Sequence, residues 1–157
     1  MPSFADIANK KADQIEKPPL PPVGHYAMQV TNTPEPEKKT SDKGTFEIID
    51  FQFQGHTAMD DVDLDELKKF GGAKGVRVRK SFIFNTSPDE EAAFAREEYN
   101  LKRFLVEHLK AGPDSYTLAQ LMGAAKGKMC TVEVGLRPDN RNPDNFYSDV
   151  KSTAPIE

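Results

Sequence analysis

The side chains able to do chemistry in this 157-residue chain are few and scattered. His25, His56 and His108 fall on a predicted strand, a loop and a helix, without metal-ligand spacing, and Cys130 is the single cysteine. No internal disulfide can form, and a reducing compartment fits. Gly71-Gly72-Ala73-Lys74-Gly75 lacks the Gly-Lys-Ser/Thr ending of a phosphate loop. No Gly-x-Ser-x-Gly elbow is present. With 25 aspartates and glutamates a carboxylate pair can always be assembled, so acids alone carry no information. The chain reads as a non-enzyme, with no cofactor and no metal. Asp61-x-Asp63-x-Asp65 begins like a calcium loop, but its sixth position is Glu66 rather than glycine and its twelfth Gly72 rather than glutamate. A short helix capped by Asp61 or Asp63 and closed by Gly71-Gly72 explains the same residues. Asn85-Thr86-Ser87 matches the glycosylation triplet by chance.

What stands out is cationic. Residues 67–85 hold Lys68, Lys69, Lys74, Arg77, Arg79 and Lys80 with no acid. One polar stretch holds Lys38, Lys39 and Lys43, and another Arg137 and Arg141. Acids gather instead at residues 60–66 and 89–98. The net charge of −4, taken as a sum, counts against a nucleic-acid partner. Taken by position it separates into a positive set and a negative remainder, because exposed charges act over only ~8 Å at physiological salt.

These charges need elements to hold them. Ser3 to Lys17 predicts a helix, with Phe4, Ile7, Ala8, Ala12 and Ile15 as a loose apolar stripe. Pro18-Pro19-Leu20-Pro21-Pro22 reads as a stiff spacer rather than a docking peptide. Gly24 to Thr31 alternates as a half-buried strand, and Asn32 to Gly44 is a polar loop. Thr45 to Gln54 is a second strand, with Ile49, Phe51 and Phe53 on one face and Phe46, Ile48, Asp50 and Gln52 on the other. Val76 to Asn85 is a third, its apolar parity interrupted by Lys80, which implies a bulge or a barrel rim. Pro88 to Leu109 is the clearest helix, capped by Ser87 and ended by Gly112-Pro113. His108 suits the helix C-terminal dipole better than a catalytic base. Thr117 to Met122 adds a helical turn. Lys128 to Gly135 is a fourth strand, placing Cys130 inward as an inert thiol. Phe146 to Lys151 is a fifth. Tyr26, Phe51, Phe53, Phe82 and Phe84 belong to the core by parity.

The order is three strands, a long helix between strands 3 and 4, then two more strands. Five short strands in this order predict a mainly β protein with helices: a five-stranded OB-fold barrel, in which the face of strands 2 and 3 and the loops joining strands 1–2 and 4–5 form a groove for oligonucleotides or oligosaccharides. The chain divides into an N-terminal helix and Pro-rich linker over 1–22, the barrel over 23–151, and a flexible tail over 152–157. No run approaches the ~20 apolar residues of a membrane span. Without a signal-peptide core at the N-terminus, the cytoplasm is the expected address.

The three cationic segments are those an OB-fold presents to a strand. Single-stranded nucleic acid binds by phosphate contacts plus base stacking. The expected binding set is Lys38, Lys39, Lys43, Lys74, Arg77, Arg79, Lys80, Arg137 and Arg141 for phosphates, with Phe46 and Tyr147 for bases. The chain also resembles the small single-stranded DNA-binding proteins that bacteriophages encode among their replication and recombination genes. The resemblance rests on Pro22-Val23-Gly24-His25-Tyr26, Gly44 to Phe53, Asn100-Leu101-Lys102-Arg103-Phe104-Leu105, Leu121-Met122-Gly123 and Asn145-Phe146-Tyr147, within residues 22 to 151. It implies sequence-independent binding of single-stranded DNA in phage DNA replication, recombination or repair, in the host cytoplasm, with replication or recombination proteins as further partners. Such proteins commonly end in an acidic tail that recruits partners; here Ser148 to Glu157 holds only Asp149 and Glu157 as acids. Exposed sheet edges allow a homodimer. The competing expectation is a protein-binding or virion-assembly module on the same barrel, using the linker, the N-terminal helix and the acidic stretches.

Overall fold

The computed structural model describes residues 3–15 and 19–156. The expected helix over Glu16 and Lys17, the first linker proline Pro18 and the last tail residue Glu157 lie outside the described residues. Six strands form one antiparallel sheet: β1 (Gly24–Val30), β2 (Glu37–Ser41), β3 (Gly44–Ala58), β4 (Arg77–Asn85), β5 (Met129–Pro138) and β6 (Phe146–Ala154). The order is β2-β3-β1-β5-β6, with β4 on β3.

β3 organises the rest because it uses both edges. One edge pairs first with β2 and then with β1; the other carries β4 from Phe46 to Gln54. Between β1 and β2 the side chain of Asn32 stands in for a strand. Its Nδ2 donates to the Asp50 carbonyl at 2.9 Å, and its Oδ1 accepts from the Gln52 N–H at 2.9 Å. Polar side chains this short can satisfy a ladder in this way. Opposite the Ala27–Met28 step, β3 carries one extra residue, His56, a bulge that bends the strand. Gly55 is required nearby, since a Cβ there would stand 2.1 Å from the Ala73 carbonyl oxygen. That close approach fixes where the 3-10 turn Ala73–Gly75 hands the chain to β4.

Alternation explains the core. Tyr26, Met28 and Val30 of β1, Ile49, Phe51 and Phe53 of β3, and Cys130, Val132 and Val134 of β5 are all buried. Phe104 anchors the aromatic part, with ring centroids 4.8 Å from Phe51, 5.5 Å from Phe82 and 6.1 Å from Phe53. These are favourable separations for tilted or edge-on rings.

The helices are shorter than their patterns suggest. α1 (Phe4–Ile7) is followed only by a 3-10 turn at Ala12–Gln14, and none of its residues is buried. The helix expected from Ser3 stops at Ile7 with no residue buried, and short helices are marginal without packing. The linker is tied down at Pro22, whose carbonyl accepts from the Tyr26 hydroxyl at 2.5 Å. α2 (Leu64–Lys68) is capped by Asp63, whose side chain accepts from the Asp65 and Glu66 N–H groups. α3 (Glu91–Arg103) starts three residues after Pro88 and widens into a π turn at Phe104–His108. Lys110, at φ 53°, turns the chain out before Gly112-Pro113 is reached. α4 (Leu118–Gly123) is opened by a capping box between Thr117 and Gln120. Among the described residues, no helix is long and apolar enough to cross a membrane.

Three expectations need correction. The stretch expected as a polar loop over 32–44 contains β2, which is exposed throughout and so offers no apolar alternation to detect. The tail expected to be flexible from Ser152 instead continues β6 to Ala154, paired with Thr131. The sheet does not close as a barrel. β4 and β6 approach within 8 Å between Cα atoms but share no ladder. On β4, the N–H of Ile83 instead donates to the Glu97 carboxylate of α3 at 3.3 Å.

Candidate functional site

Residues directly opposed in an antiparallel ladder point to the same face. On the outer face of β3 and β4, Phe46 therefore stands with Asn85, Ile48 with Ile83, Asp50 with Ser81, Gln52 with Arg79, and Gln54 with Arg77. Over most of this row lies an open groove of about 960 Å³. Lys39 of β2 borders it on one side, and Arg137, Tyr147 and Asp149 of β5 and β6 on the other. Where β4 and β6 fail to pair, it reaches inward to Lys80, Val78, Phe53 and Val150. Ser148 also lines this seam, and its Oγ is buried without a hydrogen-bond partner.

Of the residues expected from sequence, Lys39, Arg77, Arg79, Lys80, Arg137 and Tyr147 meet in this groove. Lys38 does not. It opposes Glu47, while Lys39 opposes Phe46, so the two lysines point to opposite faces of the sheet. Lys43, at the tip of the β2–β3 hairpin, lies outside the groove lining, as does Lys74 in the turn before β4. Lys74 still touches the site, because its carbonyl accepts from Gln54 Nε2 at 3.0 Å. Arg141 lies in the β5–β6 loop beyond the lining, close enough for its charge, with that of Arg137, to favour ionisation of the Tyr147 phenol.

Phe46 keeps the expected face but sits beyond the groove lining, half-buried. It is six residues along β3 from the partner of Arg79, roughly 20 Å at the rise of a strand. Exposed Tyr147 donates its hydroxyl to Asp139 Oδ2 at 3.0 Å, and that bond holds its pKa above the usual phenol value. Lys80 involves no bulge: the β3–β4 register runs through Phe51 and Lys80 unbroken. It keeps the inward parity at the open seam, half-buried, with its ammonium 5.0 Å from the Phe82 ring centroid.

The site also contains residues that sequence reading passed over. Ile48 and Ile83 form an apolar pair in an otherwise polar row, and Ile83 is 49% exposed. Parity placed Ile48 on the polar face, yet nothing in the sequence showed which residue of β4 would oppose it. Asp50 brings a carboxylate among the cations: it accepts from the Ser81 hydroxyl and lies 3.9 Å from the Arg79 guanidinium. Five cationic and two acidic side chains line the groove, so its balance is positive in a chain whose sum is negative.

The remaining titratable groups have local duties. His25 Nδ1 lies 2.6 Å from Asp61 Oδ2, and the His25 N–H donates to Asp61 Oδ1 at 2.9 Å. The hydrogen bond to Asp61 raises the His25 pKa, and the two bonds from His25 lower that of Asp61. Asp61 is thus engaged with His25, and of the two expected caps it is Asp63 that starts α2. His108 lies in the last turn of the π segment, at the helix C-terminus where the sequence placed it. Its Nδ1 lies 2.7 Å from the Thr153 hydroxyl, and burial, aided by the nearby Arg103 and Lys80 charges, lowers its pKa. Burial pushes the Cys130 thiol up to about 12, as suits an inert core cysteine.

No model of a known protein family matches this chain, and a search of curated proteins finds no match.

Proposed function

We propose that the chain binds single-stranded DNA, without enzymatic activity and largely without regard to sequence, along the groove over β3 and β4. One observation carries this reading: cations from β2, β4 and β5, far apart in sequence, line a single open groove whose floor includes the apolar pair Ile48 and Ile83. Phosphates neutralised by Lys39, Arg77, Arg79, Lys80 and Arg137 release counterions, and bases pack on the apolar floor and on Tyr147. An open trough suits a flexible strand that lays its bases down on protein; a duplex keeps its bases stacked inside.

The strand connections support an OB-like reading of the architecture. β1 pairs with β3 and β5, β3 with β4, and β5 with β6, while β2 is an added hairpin strand in the first loop. An OB-fold binds on the face of its second and third strands, which in this reading are β3 and β4, the strands under the groove. A role in phage DNA replication, recombination or repair is part of the proposal, and rests on the sequence resemblance.

The test is fluorescence anisotropy with single-stranded DNA, single-stranded RNA and duplex DNA at two salt concentrations. Single strands should bind far better than duplex, with affinity falling steeply as salt rises. Affinity for oligo(dT) that stays flat with salt, or no binding to any of the three, overturns the reading, and the second result favours a protein-binding module.

A further inference from the structure

The groove holds one feature that phosphate binding alone does not call for. Asp50 lies mid-row on its floor, between the apolar pair Ile48–Ile83 and the polar pair Gln52–Arg79. Its side chain is 30% exposed, so it is held in place without being enclosed. Three contacts fix it: the Asn32 amide donates to its carbonyl, the Ser81 hydroxyl to its Oδ1, and Arg79 stands 3.9 Å from its Oδ2. An ionised carboxylate offers about four lone-pair sites and no donor. One hydroxyl and one distant guanidinium leave acceptor capacity facing the groove.

A carboxylate there repels phosphate and attracts N–H donors. The sugar–phosphate backbone is therefore held to the cationic margins at Lys39, Arg77 and Arg137, and bases are turned to the floor. A base lying on Ile48 and Ile83 brings its edge within reach of Asp50, whose Cα is two residues along β3, about 7 Å away at the rise of a strand. The bases differ in what that edge offers. Cytosine, adenine and guanine carry an exocyclic amino group, whereas thymine presents carbonyl oxygens on both sides of its one ring N–H.

We infer that Asp50 is a specificity-determining residue, which accepts a hydrogen bond from amino-bearing bases and gives the groove a preference for them over thymine. This rests on the single-strand reading of the same groove. It adds base preference to a site whose phosphate and stacking contacts are otherwise indifferent to sequence.

The experiment compares oligo(dC) with oligo(dT), both pyrimidine strands of equal length, at neutral pH in one salt, using the whole protein and its D50N variant. The wild type should bind oligo(dC) about three- to tenfold more tightly, the range that one net hydrogen bond sets. In D50N the ratio should fall to near one, because an amide can present either its oxygen or its nitrogen. Both affinities should rise, because a negative charge has left the groove. Circular dichroism melting of D50N confirms the fold.

If neither oligomer binds even at low salt, the groove reading falls and this inference with it. Equal binding of both by the wild type leaves the function standing and overturns the inference. A preference that survives in D50N also overturns it, as does a uniform change in both affinities, which is what a merely structural role in holding Arg79 would produce.

Discussion

Ile48 and Ile83 stand directly opposite each other on the outer face of the β3–β4 ladder, an apolar pair at the floor of a polar groove. A side chain as exposed as Ile83 adds little to folding, and the proposed function gives it the role of packing on a base. Replacing it, Ile83→Ser, should change folding stability by no more than about 0.5 kcal/mol. Affinity for single-stranded DNA should fall about fivefold, the worth of roughly 1 kcal/mol of apolar contact with a base. Anisotropy titration alongside urea unfolding separates the two.

Lys38 and Lys39 are neighbours in sequence and on opposite faces of the sheet. Lys39→Ala should weaken binding and reduce the salt slope by about 0.7, the loss of one phosphate contact. Lys38→Ala should leave both unchanged. The double variant Arg77→Ala with Arg79→Ala should reduce the slope by about 1.4, two such contacts. Equal effects of the two lysine variants would show that β2 does not border the site as its register requires.

The His25–Asp61 pair makes stability depend on pH. The His25 pKa is raised above 6.5 in the folded protein. Its stabilising contribution is fully present below that unfolded-state value and is lost as pH rises through the higher folded value. The Asp61 pKa is lowered below 3.8, so its contribution is present above that value and disappears as pH falls through the folded one. His25→Gln should therefore lower the melting temperature more at pH 5.5 than at pH 8.5. Both partners are largely exposed, so the effect should be modest. Calorimetry at the two pH values checks it.

Phe104 packs with three other phenylalanine rings and is almost fully buried. Phe104→Ala should cost about 3–5 kcal/mol, through lost contacts and the cavity left behind. Urea denaturation should show the midpoint shifting sharply downward.

Cys130 should resist alkylation in the native state. Its thiol is fully buried and its pKa is pushed up to about 12, so little thiolate exists at pH 8. Iodoacetamide should label it readily in denaturant and scarcely at all without. Rapid native labelling would mean that β5 opens locally.

Period-two alternation made the core legible. Tyr26, Phe51, Phe53, Phe82 and Phe84 are buried where parity put them, because one face of each strand must leave water. The same rule put Arg77 and Arg79 on the outer face. β2 was not legible, since a strand exposed throughout carries no apolar signal. Lys80 was ambiguous because its place at an open seam depends on β6, far away in sequence. The bridge made by Asn32 could not be read from its neighbours either, because its partners at Asp50 and Gln52 are supplied by another strand.

The sequence by itself determined which strand residues turn inward, where the helices after residue 60 start to within a few residues, and that 11 of the 21 lysines and arginines gather in three segments. These follow from local rules: alternation, capping and composition. Tertiary structure alone decided that Lys39 and not Lys38 joins the arginines, that Asp50 and Ser81 share the groove with Arg79, and that Phe46 lies away at its end. Strand register settles each of these. Shifting a ladder by one residue reverses every side chain on it, and register is chosen by packing between segments distant in the chain.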